Sequence, residues 1–160
     1  MRYSGRKSEI ISFLIRFAIW TALLGFLWQI WLCGLYLDFL KPIAFAFLRV
    51  VGVKKLLYTR VADQFVNMLA YLSLVLASPN AIRRWRLTIV AAISGIVFLI
   101  AEHVLLTWAI YEIEQAYPEP TMRDMFVIPM WIVSAALPFI LWTAFYPDIV
   151  TRVMVLGNKR

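Results

Sequence analysis

An acid and an imidazole stand side by side inside a long apolar segment of this chain. Glu102 and His103 lie within residues 87–110, and every other residue of that segment is uncharged. A carboxyl group and an imidazole are both costly to remove from water unless they are hydrogen-bonded or paired. The pair therefore suggests a protonated acid hydrogen-bonded between helices, a proton-handling or catalytic acid, or an acid that docks a partner.

His103 is the only histidine and Cys33 the only cysteine of the chain. One histidine can make a single axial contact to a pigment, or to a haem shared with another subunit. A bis-histidine haem would need a second histidine, and a zinc or iron site has too few ligands here. We therefore expect His103 to be a packing residue, with haem or pigment contact as the alternative, and we assign no catalytic residue, metal site or cofactor.

The amino-acid composition indicates the environment in which Glu102 and His103 lie. Of 160 residues, 63% are hydrophobic and 16% charged, and the mean hydropathy is +0.80. Such a chain belongs to the membrane class, and its long unbroken apolar runs favour helices over the alternating strands of a barrel. The net charge is +7, but most basic residues flank apolar runs. Anionic lipid is therefore the expected partner, and nucleic acid is not.

Four segments approach the roughly 20 apolar residues that cross a bilayer core. They are residues 17–37, 61–78, 87–110 and 125–146. The sequence thus predicts an all-α integral membrane bundle of four transmembrane helices, forming a single domain over residues 1–160.

A fifth apolar segment, residues 42–53 with the sequence PIAFAFLRVVGV, is too short to cross and carries Arg49. We predict a short interfacial or re-entrant helix here, after the first span. Its apolar face should lie along the membrane surface or dock on a partner. Phe45, Phe47 and Arg49 are the candidate interface residues.

Basic residues are retained on the cytoplasmic side of short loops. With the N terminus inside, four spans place ten of the 16 Lys and Arg residues inside. We therefore expect a bacterial inner-membrane protein with both termini cytoplasmic. Glu112, Glu114 and Glu119 then lie in an outer loop, where they face either solvent or the basic segment of residues 38–60.

The polar residues of the spans are predicted to form one layer. At 1.5 Å per residue, Gln29, Asn67 and Glu102 lie about 18, 17 and 22 Å from the inner ends of their spans. Glu102 shares a helical face with Gly95, so we expect it, more than His103, to face the bundle interior and to pair with Gln29, Asn67 or a partner chain.

The fourth span contains Pro129 and Pro138, with Ser134 four residues before the second proline. Proline removes a backbone hydrogen bond and kinks a helix. The Ser134 hydroxyl is expected to compensate part of that loss.

The order of segments resembles the small membrane proteins associated with exosortases. The resemblance rests on FLIRFAIWTALLGFLWQIW, then KPIAFAFLRVVG, then VNMLAYLSLVLASP, and then the basic turn and span RRWRLTIVAAISGIVFLIAEHVLLTW. Exosortases and archaeosortases are membrane-embedded transpeptidases that use a Cys, an Arg and a His near the outer face. Here the only bases between Cys33 and His103 lie in loops and the motif contexts differ, so catalysis is not transferred to either residue.

The resemblance implies a non-catalytic accessory or scaffolding subunit of an inner-membrane assembly for protein sorting or envelope export. Other integral membrane subunits are its expected partners. One alternative is an accessory subunit of a respiratory or photosynthetic complex that contacts a cofactor through His103 or Gln29. Another is a small transporter or enzyme in which Glu102 is the working acid.

Overall fold

The structure, a computed structural model, describes residues 3–52 and 66–148. Every regular element in these two ranges is a helix. In chain order they are α1 (Tyr3–Leu27), a π-helical segment (Trp28–Leu32), α2 (Cys33–Val50), α3 (Val66–Ala77), α4 (Trp85–Ala116) and α5 (Pro120–Phe145).

Three stretches of the described chain are long and apolar enough to cross a membrane: Ser8–Val50, Trp85–Ala116 and Pro120–Phe145, of 43, 32 and 26 residues. The predicted third span falls within α4, and the predicted fourth span falls within α5 except for its last residue, as expected for a multi-pass membrane protein. The 12 described residues of α3 extend about 18 Å, which is less than the roughly 30 Å of a bilayer core. Residues 61–65 of the predicted second span lie outside the described residues.

Residues 42–50 do not form a helix separate from the first apolar segment, because they are part of α2. Helix α2 runs through Pro42 without a break and ends at Val50, where Gly52 adopts a positive φ of 84°. A proline removes only one helical hydrogen bond, and packing compensates. The buried side chains of α2 recur every four residues on one face and hold the helix against the bundle. They are Tyr36, Leu40, Ala44 and Leu48.

Helix α3 is the most enclosed element, because it packs against α1, α4 and α5. Its Tyr71 is fully buried and donates a hydrogen bond to the Ala91 carbonyl of α4 at 2.6 Å. The Tyr71 ring lies over Gly95, where a Cβ atom would overlap it. This contact explains why a residue without a side chain stands at Gly95: it lets the two helices approach closely.

The helix formed by α1, the π-helical segment and α2 contacts α3 through its α1 part and α4 through its α2 part. It therefore crosses obliquely from α3 to α4. At the end of the bundle where α3 turns into α4, Phe13 of α1 stacks on Trp142 of α5 with ring centroids 5.5 Å apart. The Trp142 indole donates to Ser78 Oγ at 2.8 Å. Arg84 and Asp148 lie 3.7 Å apart at the same end. The start of α1, the turn from α3 to α4 and the end of α5 therefore share one end of the bundle.

Glu112 and Glu114, which were expected in an outer loop, belong to the last turns of α4 and have partners close to them in the chain. Glu114 lies 4.0 Å from Arg123 of α5, and Glu112 accepts a hydrogen bond from the Trp108 indole at 3.1 Å. Glu119 immediately precedes α5. Of the basic residues in the segment expected to face this loop, Lys41 lies beside Asp38 and Arg49 is exposed on α2, while the other three, Lys54, Lys55 and Arg60, lie outside the described residues.

Candidate functional site

The imidazole of His103 is held by a tyrosine from the first long helix. Tyr36 Oη and His103 Nδ1 are 2.6 Å apart, and both side chains are buried. Tyr36 belongs to the buried stripe of α2, so the packing of α2 on α4 brings it to the histidine. A hydrogen bond between two buried side chains on different helices ties those helices together.

The other ring nitrogen of His103 faces the neighbouring acid. His103 Nε2 and Glu102 Oε2 are 3.4 Å apart, and the side chains are 0% and 15% exposed. The expectation that Glu102, more than His103, faces the interior is therefore wrong. Consecutive helical residues point about 100° apart, and α4 turns His103 towards α2 while Glu102 is turned towards α5.

Asn67 of α3 reaches α5 at Ser134. Its side-chain amide donates to the Ser134 hydroxyl at 2.7 Å and to the Ser134 backbone carbonyl at 2.9 Å. That carbonyl would accept the N–H of residue 138 in a regular helix, but Pro138 has none. Ser134 and Glu102 line the same groove between α4 and α5. The serine thus lies near both the asparagine and the acid.

These side chains form one group, which we call the polar cluster. Its members come from four helices, α2, α3, α4 and α5. They are Tyr36, Asn67, Glu102, His103 and Ser134.

Sequence reasoning singled out three members of the polar cluster, which are Asn67, Glu102 and His103. It missed Tyr36 altogether and the contacts that Ser134 makes. Tyr36 was not singled out, although its four-residue spacing from Leu40 marks it as part of a helical stripe. Ser134 was noted for the proline kink and not as a partner of Asn67.

Gln29 does not lie with the polar cluster. Its side chain is exposed on the π-helical segment, while the neighbouring Trp28 is buried and packs against Tyr36 with ring centroids 5.5 Å apart. Gln29 precedes Tyr36 by seven residues, which corresponds to about 10 Å along a helix. It is therefore displaced from the level of the histidine.

The three predicted interface residues of α2 differ in their surroundings. Phe47 packs edge-on against Trp108 of α4, with ring centroids 6.4 Å apart. Phe45 is 44% exposed and Arg49 is also exposed. Phe47 thus contributes to the fold of the chain itself, whereas Phe45 and Arg49 lie at its surface.

Glu102 and Ser134 open onto an apolar groove between α4 and α5, which we call the α4–α5 groove. Its volume is about 640 Å³. The remaining lining residues are Phe98, Ala101, Leu105, Leu106, Trp108 and Ala109 of α4, and Pro129, Met130, Val133 and Leu137 of α5. The acid therefore has an interior side, towards His103, and a groove side.

The chemistry available to this arrangement is hydrogen bonding and proton transfer. Tyr36 Oη is hydrogen-bonded to His103 Nδ1, and Glu102 Oε2 lies 3.4 Å from His103 Nε2, so three groups that can carry a proton are adjacent. Nowhere in residues 3–52 and 66–148 do three or more His, Cys, Asp and Glu side chains group as metal ligands would. No protein-family model, curated protein or solved structure matches the chain.

Proposed function

We propose that this protein is a non-catalytic accessory or scaffolding subunit of a bacterial inner-membrane assembly, of the protein-sorting or envelope-export type. The observation that carries the proposal is that its intramembrane polar side chains connect its own helices. Tyr36 with His103 ties α2 to α4, and Asn67 with Ser134 ties α3 to α5. Polar residues used in this way stabilise a bundle.

A catalytic or cofactor site needs groups that face a substrate. His103 is fully buried, with Nδ1 bonded to Tyr36 and Nε2 directed at Glu102. A haem or pigment would have to displace one of these contacts to reach the ring. The geometry therefore favours an accessory subunit over one that contacts a cofactor through His103.

The proposed topology has four spans, with both termini in the cytoplasm. It is supported by the common end shared by the start of α1, the turn from α3 to α4 and the end of α5. That end carries Arg83, Arg84 and Arg86, and basic turns are retained in the cytoplasm. Anionic lipid is the partner proposed for this basic turn.

A small transporter or enzyme is the second candidate, and one observation favours it. Glu102 reaches both His103 and the α4–α5 groove, so a proton entering from the groove would have a path to Tyr36. Proton flux into vesicles containing the purified protein tests this candidate. A flux lost in Glu102→Gln would support the transporter and contradict the accessory role.

Native purification tests the accessory role. The chain, expressed at its natural level and extracted in mild detergent, should co-purify with another integral membrane protein in a fixed ratio. Phe45→Asp should reduce the amount of that protein, and Phe45→Leu should retain it, because leucine keeps an apolar side chain at this exposed position of α2. A chain that purifies without any integral membrane partner would contradict the proposal.

A further inference from the structure

A carboxamide of the first long helix faces lipid at membrane depth. Gln29 lies 13 residues after Arg16 and 9 residues before Asp38, or about 20 and 14 Å along the helix. No charged residue stands between Arg16 and Asp38, so this part of the helix matches the hydrocarbon core of a bilayer. The Gln29 side chain is exposed there and therefore projects from the bundle into the hydrocarbon.

Lipid does not satisfy this side chain. A carboxamide has two N–H donors and a carbonyl acceptor, and lipid chains bond to neither. Among the hydrogen bonds of residues 3–52 and 66–148, none involves the Gln29 carboxamide. Other exposed polar groups of the same helix differ, because Arg16 donates to Ser12 and Lys41 lies 3.5 Å from Asp38. Gln29 thus offers its donors and acceptor to the outside of the bundle.

The face that carries Gln29 allows a close helix contact. Gly25 precedes Gln29 by four residues and Ala22 precedes it by seven, which places all three on one face. A Cβ atom on Gly25 would meet nothing within 4 Å, whereas on Gly95 it would overlap the Tyr71 ring. Packing within the described chain therefore explains Gly95 and leaves Gly25 unexplained. Small residues beside a polar one are typical of contacts between membrane helices.

Gln29 also lies in the π-helical segment Trp28–Leu32. Single π-helical turns are rare and occur frequently at functional sites. In this turn Trp28 is buried and packs against Tyr36, while Gln29 is exposed. The irregular turn thus has its tryptophan on the bundle side and its carboxamide on the lipid side.

We propose that the face formed by Ala22, Gly25 and Gln29 is the contact between two copies of this chain, and that their Gln29 carboxamides hydrogen-bond to each other. Copies inserted in the same direction are related by a twofold axis along the membrane normal, so residues on the axis meet their own counterparts at the same depth. A carboxamide is its own complement, because the N–H of one donates to the carbonyl of the other. The contact joins two copies of the chain and does not depend on the accessory role.

The other exposed groups of this helix suit a twofold contact less well. Thr21 lies eight residues before Gln29 and Trp31 two after, about a quarter turn and half a turn around the helix. A second copy on the Gln29 face therefore meets neither of them. Arg16 and Lys41 would each repel their own counterpart across a twofold axis. The Gln29 face is thus better satisfied by a second copy than a face centred on any of these groups.

The test uses the full chain in phosphatidylcholine vesicles, with Cys33 replaced by Ala and one cysteine introduced. Ala22→Cys should form an intermolecular disulfide under mild oxidation with copper phenanthroline. Leu23→Cys is the matched control, because Leu23 is 48% exposed and points about 100° away from Ala22. Its disulfide yield should be at least about threefold lower than that of Ala22→Cys.

Variants in the Ala22→Cys chain separate the carboxamide from the rest of the face. Gln29→Leu should lower the disulfide yield at least about threefold, because it removes the hydrogen bonds between the copies. Gln29→Asn keeps a carboxamide and should retain part of the yield. Gly25→Leu should lower the yield by holding the helices apart. Ile30→Leu, at a neighbouring exposed position, should leave it unchanged, and unfolding in detergent checks that each variant is folded.

Equal yields from Ala22→Cys and Leu23→Cys, or a yield that Gln29→Leu leaves unchanged in a folded protein, would overturn the proposal. So would a cross-link from Ala22→Cys to a different protein in native membranes without any cross-linked pair of copies, because it would assign this face to a partner subunit. The accessory role fails by a different measurement, the absence of a membrane partner in native purification.

Discussion

The side-chain amide of Asn67 donates to the backbone carbonyl of Ser134 at 2.9 Å. This carbonyl is the one left without a helical donor by Pro138, four residues later. A residue of α3 therefore takes the place of a missing backbone N–H in α5. The bond explains how an asparagine and a proline, both unfavourable within a membrane helix when taken alone, stabilise the bundle together.

Asn67 and Pro138 should be energetically coupled. Asn67→Leu removes both donors to Ser134, and we expect it to lower the free energy of unfolding by about 0.6–2 kcal/mol. In a Pro138→Ala background the carbonyl regains its helical partner, so the same substitution should cost less. A double-mutant cycle measured by unfolding in mixed micelles gives the coupling directly.

Ser94→Ala is the matched control for this cycle. The Ser94 hydroxyl is exposed and bonds a carbonyl of its own helix, that of Val90. Its loss should change stability little, and by the same amount with or without Pro138. If Asn67→Leu were equally costly in both backgrounds, the amide would not be acting on the carbonyl freed by the proline.

A methyl group should be tolerated at one glycine and not at another. Gly95→Ala places a Cβ atom in the Tyr71 ring, which is fully buried and cannot move aside freely. We expect a loss of about 1–3 kcal/mol, the usual cost of overpacking. Gly25→Ala meets nothing within 4 Å and should be neutral or stabilising through its higher helix propensity. Equal effects of the two substitutions on unfolding would contradict the close contact of α3 and α4.

The acid of the polar cluster should tolerate an amide better than an alkyl group. Glu102→Gln keeps the length of the side chain and a polar group beside His103 and Ser134, so folding and partner association should resemble those of the parent. Glu102→Leu removes that polar group and should lower stability by about 0.6–2 kcal/mol without preventing membrane insertion. Size-exclusion profiles and unfolding in detergent measure both effects. A folded and assembled Glu102→Gln protein that had lost its cellular activity would instead indicate proton handling.

Hydropathy was sufficient to locate α4 and α5, because an apolar run of that length has few other solutions. It was not sufficient to identify which face of each helix points inward. Lipid and protein interior are equally apolar, so a membrane helix lacks the polar face that orients a helix of a soluble protein. For this reason the relative burial of Glu102 and His103 was reversed, and Tyr36 was overlooked.

The continuous helix through Pro42 was missed for a different reason. The predicted first span stopped at residue 37, before Asp38 and Lys41, and residues 42–53 were set apart because they are too short to cross and carry Arg49. In the structure Asp38 and Lys41 lie 3.5 Å apart on the exposed surface of α2, and Leu40 and Ala44 remain buried on its other side. Local signals for a break were outweighed by packing, which a single sequence does not reveal.

The last prediction concerns the orientation of the bundle in the membrane. Arg83, Arg84 and Arg86 adjoin Ile82, at the end shared by the start of α1 and the end of α5, so we expect this end to be cytoplasmic. With Cys33 replaced by Ala, Ile82→Cys should resist an impermeant maleimide in intact spheroplasts and react after permeabilisation. Gln115→Cys, exposed near the opposite end of α4, should react in both conditions.

Ile82 suits this measurement better than Asn80 in the same turn. Asn80 has a positive φ of 61°, a conformation that is unfavourable for cysteine, whereas Ile82 is 93% exposed and has no such constraint. Labelling of Ile82→Cys in intact spheroplasts together with protection of Gln115→Cys would show the opposite orientation. Because Arg84 lies beside Asp148 and Phe13 beside Trp142, that result would reverse the side assigned to the start of α1 and the end of α5 as well.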